Sequence, residues 1–123
     1  MSNPDRRFKR RVVPYNLKTY LFHYIEDVGE IFNLSEGGAG IYSYSEFQAG
    51  QKVSLNFFLP KNLQCDEAIP IFAIGEIIWQ RAIECKINGQ RLKTGIKFEL
   101  ILPEHAAIIR NFVDSIPDEK PTN

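Results

Sequence analysis

Cysteine is nearly absent. The 123-residue chain carries two, Cys65 and Cys85. They lie too far apart for a CxxC pair and are too few for a disulfide framework, so they read as idle or buried thiols. Histidine is as sparse, and neither His23 nor His105 has a cysteine, aspartate or second histidine at ligand spacing. Both read as structural, and no metal site is expected. Acids fall singly apart from Glu26-Asp27 and Asp66-Glu67, so no catalytic constellation stands out. A Walker sequence and a dinucleotide fingerprint are also missing, because the glycines at 37, 38 and 40 lead into a strand pattern, not a helix. Neither an enzyme nor a cofactor is expected. No apolar run is long enough to span a bilayer and no signal peptide is visible, which points to a cytoplasmic protein without a membrane partner.

Net charge is lacking as well, since 15 Lys and Arg balance 15 Asp and Glu, but the charges are unevenly placed. Residues 1–11 hold five cations against one acid, Asp5, a surplus of 5 − 1 = +4, and the rest of the chain is left with 10 − 14 = −4. A basic arm on an acidic body suits an anion, or folds back on its own domain. The acidic body argues against a nucleic-acid partner, since such binders usually carry a basic face.

What is present is apolar and β-forming. Hydrophobic residues make up 44% of the chain, with nine Phe, enough for one domain with a real core. From Val12 to Ile25 the chain is rich in β-branched and aromatic residues. Tyr15, Leu17, Thr19 and Leu21 alternate with Asn16, Lys18 and Tyr20, a long strand with one wetter face. Pro14 confines its start to an edge or bulge. Val28–Phe32 forms a second strand, and Ile41–Tyr44 begins a third. Val53, Leu55, Phe57 and Leu59 mark a fourth by their period of two. Ile69–Ile87 reads as a long strand bent or bulged at Gly75-Glu76. The Asn88-Gly89 hairpin signal returns it through Arg91–Ile101, with Ile96, Phe98 and Leu100 on one face. Pro103 opens a helix with Ala106, Ile109, Val113 and Ile116 on its inner side, and Pro117 ends it. The chain is expected to be mainly β: a six-stranded antiparallel β-barrel with a C-terminal α-helix. Residues 1–11 form a flexible basic arm, 12–116 the barrel and helix, and 117–123 a disordered tail.

Two stretches carry the functional reading. Arg6-Arg7-Phe8-Lys9-Arg10-Arg11 packs five cations into six residues. Arginine pairs bidentately with phosphate and with the guanine edge, and stacks on aromatic and base faces. Asn33-Leu34-Ser35-Glu36-Gly37-Gly38-Ala39-Gly40 reads as a turn between strands. Its glycines permit positive φ and close approach to the backbone, and Asn33 and Ser35 bring short polar side chains.

Arg6-x-x-x-Arg10 followed by Asn33-x-Ser35-x-x-Gly38 resembles the RxxxR and [DN]xSxxG signature of PilZ domains. Gly75-Glu76-Ile77-Ile78-Trp79 and Thr94-Gly95-Ile96-Lys97-Phe98 are similar to two further stretches of that family. The resemblance implies a receptor, not an enzyme, for the second messenger cyclic di-GMP, signalling to a protein partner. It also implies roles for individual residues. Arg6 and Arg10, with Arg7 beside them, would hold guanine edges and phosphates. Asn33 and Ser35 would contact a guanine, and Gly37 and Gly38 would allow close backbone approach. Trp79 would line the ligand's apolar side or pack in the core. Arg7-x-x-x-Arg11 satisfies the same spacing. Arg6/Arg10 is preferred because Phe8 then stands two before the second arginine. Asp5 precedes the motif where the family often has arginine, which leaves ligand stoichiometry open. The alternatives are an adaptor of the same fold that works by protein contacts without ligand, and a small nucleic-acid-binding barrel.

Overall fold

The computed structural model describes residues 10–22, 26–60, 67–83 and 91–117. Six strands run in chain order: β1 Arg10–Phe22, β2 Glu26–Ser35, β3 Gly38–Ser43, β4 Lys52–Pro60, β5 Ala68–Ile83 and β6 Arg91–Ile101. One helix follows, α1 Pro103–Ser115. Every strand pair is antiparallel, and the sheet closes as a barrel in the order β1-β2-β3-β6-β5-β4. The expected fold is borne out. Closure removes the free edges that an open six-stranded sheet would present.

Alternation builds the core. Leu17, Thr19 and Leu21 of β1 and Val53, Leu55, Phe57 and Leu59 of β4 all point inward and are buried. Ile31, Leu34, Ile41, Ile71, Ile77 and Ile96 come from the remaining strands. Among the described residues the seam between β1 and β4 consists of Tyr20↔Asn56, Leu21↔Leu55 and Phe22↔Ser54. Helix α1 packs on β2 and β4, the two strands that flank β1. Its Ile109, Phe112 and Val113 join the core, and Pro103 stands in its first turn as expected.

Four sequence expectations change. Strand β1 begins at Arg10, so Arg10 and Arg11 stand in the barrel wall. The turn is only Glu36-Gly37, so Asn33, Ser35, Gly38 and Gly40 are strand residues. None of those glycines has positive φ; among the described residues only Gly50 does, at 90°. Finally, Leu100 does not follow Ile96 and Phe98 inward but is 64% exposed. A bulge opposite Gly75, where the register slips between Ile74 and Gly75, reverses the alternation at Glu99. The register slips beside Gly75, as forecast, but the extra residue is Glu99 on β6 and not one on β5. The Asn88-Gly89 signal and both cysteines fall outside the described residues.

Candidate ligand-binding face

The two motif stretches meet on the outer face of the barrel, in two rows that cross neighbouring strands. One row is Arg10↔Ser35↔Gly38↔Lys97↔Glu76. The other is Val12↔Asn33↔Gly40↔Gly95↔Trp79. Residues directly opposite in a ladder share a face, so each row is a line of neighbours.

Two bulges aim the second row. On β2 the register passes from Ile31↔Ile41 to Asn33↔Gly40, leaving Phe32 as the extra residue. On β5 it passes from Ile77↔Ile96 to Trp79↔Gly95, leaving Ile78 extra. Ile31 and Ile77 are fully buried. Strict alternation from them would send Asn33 and Trp79 inward. Each bulge adds one residue and turns the next side chain out. Trp79 is therefore 41% exposed and is not a core residue.

The glycines between these two walls are needed for close approach. A Cβ on Gly95 would strike the Trp79 indole, so the ring lies against the glycine backbone. A Cβ on Gly40 would come within 2.6 Å of the Phe32 ring and 2.8 Å of Asn33 Oδ1. A Cβ on Gly38 would run into the carbonyl oxygen of Ile96 on β6. That last contact is backbone on backbone, so Gly38 serves strand packing first.

The polar motif residues are engaged with their own turn. Gly40 N–H donates to Asn33 Oδ1 at 2.9 Å, which leaves the Asn33 amide nitrogen without a partner among the described residues. Ser35 is 3% exposed; its hydroxyl donates to the Gly38 carbonyl at 3.3 Å and accepts from Gly37 N–H at 3.2 Å. Phe98 N–H donates to the Gly37 carbonyl at 2.9 Å, pinning the turn to β6. Glu36 at the turn pairs with Arg110 of α1 at 3.1 Å.

Of the arginines, Arg10 stands opposite Ser35 on the motif face, while Arg11 stands opposite Leu34, a residue whose side chain is fully buried. Arg6 and Arg7 lie outside the described residues. Sequence reasoning missed Gly40, Gly95, Phe32 and Lys97 as members of the face. Gly95 and Lys97 stood within a stretch already singled out, but which of its residues face outward depends on the register.

Glu76, at the end of the first row, pairs away from the face. Lys52 bonds Glu76 at 2.9 Å and Glu99 at 2.5 Å, clasping β4, β5 and β6. The Lys52 ammonium holds the Glu76 carboxyl below its ordinary range. No group of three or more metal-binding side chains occurs among the described residues. No described helix is long and apolar enough to cross a membrane.

The chain matches the PilZ domain over residues 4–115. Among solved structures it is similar to the inhibitor of motility MotI/DgrA of Bacillus subtilis, at 17% identity and a TM-score of 0.71, covering 89% of this chain and 49% of that one. It is similar to the PilZ domain of YcgR from Escherichia coli, solved with c-di-GMP, at 15% identity and a TM-score of 0.67, covering 89% of both chains. It is also similar to MrkH of K. pneumonia in its apo state, at 13% identity and a TM-score of 0.65, covering 88% of this chain and 49% of that one. The chain thus spans about half the length of MotI/DgrA and MrkH. No curated protein matches it.

Proposed function

Because the chain belongs to the PilZ domain family, we propose that it is a cytoplasmic receptor for cyclic di-GMP that signals to a protein partner. PilZ domains are non-catalytic receptor or adaptor domains, so the question is what this one binds. The observation that carries the reading is convergence. Arg10, the stretch from Asn33 to Gly38 and Trp79, far apart in sequence, come together in two adjacent rows on one outer face. The Asn33 amide nitrogen offers donors to a guanine or phosphate oxygen, the Arg10 guanidinium a fork, and Trp79 a ring face. Arg6 and Arg7 would close over the ligand from the arm.

A second reading has its own support. The Ser35 hydroxyl and Asn33 Oδ1 already satisfy turn amides and a turn carbonyl, which is what the motif would do in an adaptor that binds no ligand. Titration calorimetry with cyclic di-GMP separates the two. Saturable heat at micromolar ligand is expected, and its absence leaves the adaptor.

A further inference from the structure

Beyond the motif face, the next outer row upward is Tyr42↔Lys93↔Arg81, with Arg91 two residues from Lys93 on the same side of β6. Three cations here each lie on an aromatic ring. Arg91 is 4.4 Å from the Tyr42 centroid, Lys93 4.8 Å from that of Phe32, and Arg81 5.8 Å from that of Trp79. The Phe32 and Tyr42 centroids are themselves 4.6 Å apart. Among the described residues none of these cations makes an ion pair or hydrogen bond, and the Arg91 Nε is buried without a partner. Lys52 and Arg110 on the same molecule are both paired with carboxylates.

We propose that Lys93, Arg91 and Arg81 form a second phosphate-binding subsite, continuous with the motif face, that takes a phosphodiester of the bound cyclic dinucleotide. The inference rests on the receptor reading. Lys93 and Arg81 stand directly opposite across β5 and β6, an arrangement of like charges that disfavours the sheet and that an anion would relieve. The stacks hold the cationic groups in place while their N–H donors remain unused, so little ordering is needed on binding. Phe32 and Trp79 belong to both sets, since they border Gly40 and Gly95 and carry Lys93 and Arg81. Two residues along a strand cover ~7 Å, so a ligand lying over Gly40 and Gly95 reaches the next row. Of the acids, Glu30 stands opposite Tyr42 in register, and Glu46 lines a cleft together with Arg81. Neither makes an ion pair with the three cations.

The test is cyclic di-GMP titration of the full chain and of Lys93→Gln, Lys93→Arg, Arg81→Gln and Lys18→Gln, each checked for wild-type melting. Lys18 is an exposed lysine on β1 at the far end of the same row, opposite Glu30 and three strands from Lys93, and serves as the distance control. Lys93→Gln should weaken binding about tenfold, the size of one charge-assisted contact. Lys93→Arg and Lys18→Gln should bind as wild type does. If Lys93→Gln and Arg81→Gln both bind like wild type while wild type binds well, the subsite is refuted and the receptor reading stands. If wild type itself gives no heat, both fall together.

Discussion

A methyl group on Gly38 would have nowhere to go, because the obstacle is the Ile96 carbonyl, part of the neighbouring strand. A methyl on Gly40 meets the tip of the Phe32 ring and the Asn33 amide, which are side chains and can turn aside. The two substitutions should therefore differ. Gly38→Ala should cost ~1–3 kcal/mol, the usual penalty of overpacking, and Gly40→Ala clearly less. Thermal denaturation checks the order, and a Gly40→Ala variant less stable than Gly38→Ala would contradict it. A consequence is that loss of binding in a Gly38 variant says nothing about the ligand, since the barrel is disturbed first. The same caution applies to Ser35, whose hydroxyl closes the turn through two bonds.

At the scale of the strand, register decides which arginine can serve. Arg10 faces out beside Ser35 and Arg11 pairs with Leu34, so the Arg6/Arg10 spacing puts its second member on the motif face. Arg10→Ala should weaken cyclic di-GMP binding tenfold to a hundredfold, at ~1.5–3 kcal/mol for a charge-assisted bond. Arg11→Ala should weaken it far less at equal stability, and the opposite result in the same titration would shift the motif by one residue. The strands themselves were legible because alternation is a strong signal: β4 alternates as the sequence forecast, β6 has the forecast bounds though Leu100 turns outward, and Pro103 opens the helix. The two bulges were not legible. Nothing in Ile31-Phe32-Asn33 or Ile77-Ile78-Trp79 marks an extra residue, since a bulge is a relation between two strands. That is why Trp79 was undecided between core and ligand until the pairing was known.

The clasp across β4, β5 and β6 gives a pH dependence with a definite sign. The hydrogen bond from Lys52 depresses the Glu76 carboxyl below its ordinary 4.5. The bonds to Glu99 and then Glu76 raise Lys52 above its ordinary 10.5. A depressed acid stabilises the fold above its unfolded pKa and loses that contribution as pH falls through the folded value. A raised amine stabilises below its unfolded pKa and loses the contribution as pH rises through the folded one. Both contributions are complete at neutral pH. Lys52→Met should melt below wild type there, and the gap should narrow as pH drops below 4.5. A gap that stayed constant into acid would mean that the lysine acts through its packing.

For the molecule as a whole, a closed barrel with a helix packed on β2 and β4 is a rigid platform, and a ligand on its wall must report through linkage. Ligand at a hundredfold excess over Kd should stabilise the protein by ~2.7 kcal/mol, seen as a rise in melting temperature that an adaptor without ligand would not show. One contact between that wall and the helix is the pair between Glu36, in the motif turn, and Arg110, on α1. Exposed ion pairs contribute only ~0–1 kcal/mol, so Arg110→Ala should leave the fold intact. Its effect on binding comes from charge. Glu36 stands between Ser35 and Gly37, where ligand phosphates would approach, and Arg110 neutralises it. With Arg110 gone, an unscreened carboxylate faces the anion, and affinity should fall severalfold, more so at low salt. Adding Glu36→Gln to Arg110→Ala removes the repulsion and should restore the affinity. If the single variant binds as wild type does across ionic strengths, the helix and the ligand face are electrostatically independent, and a partner sensing the ligand must read the wall itself.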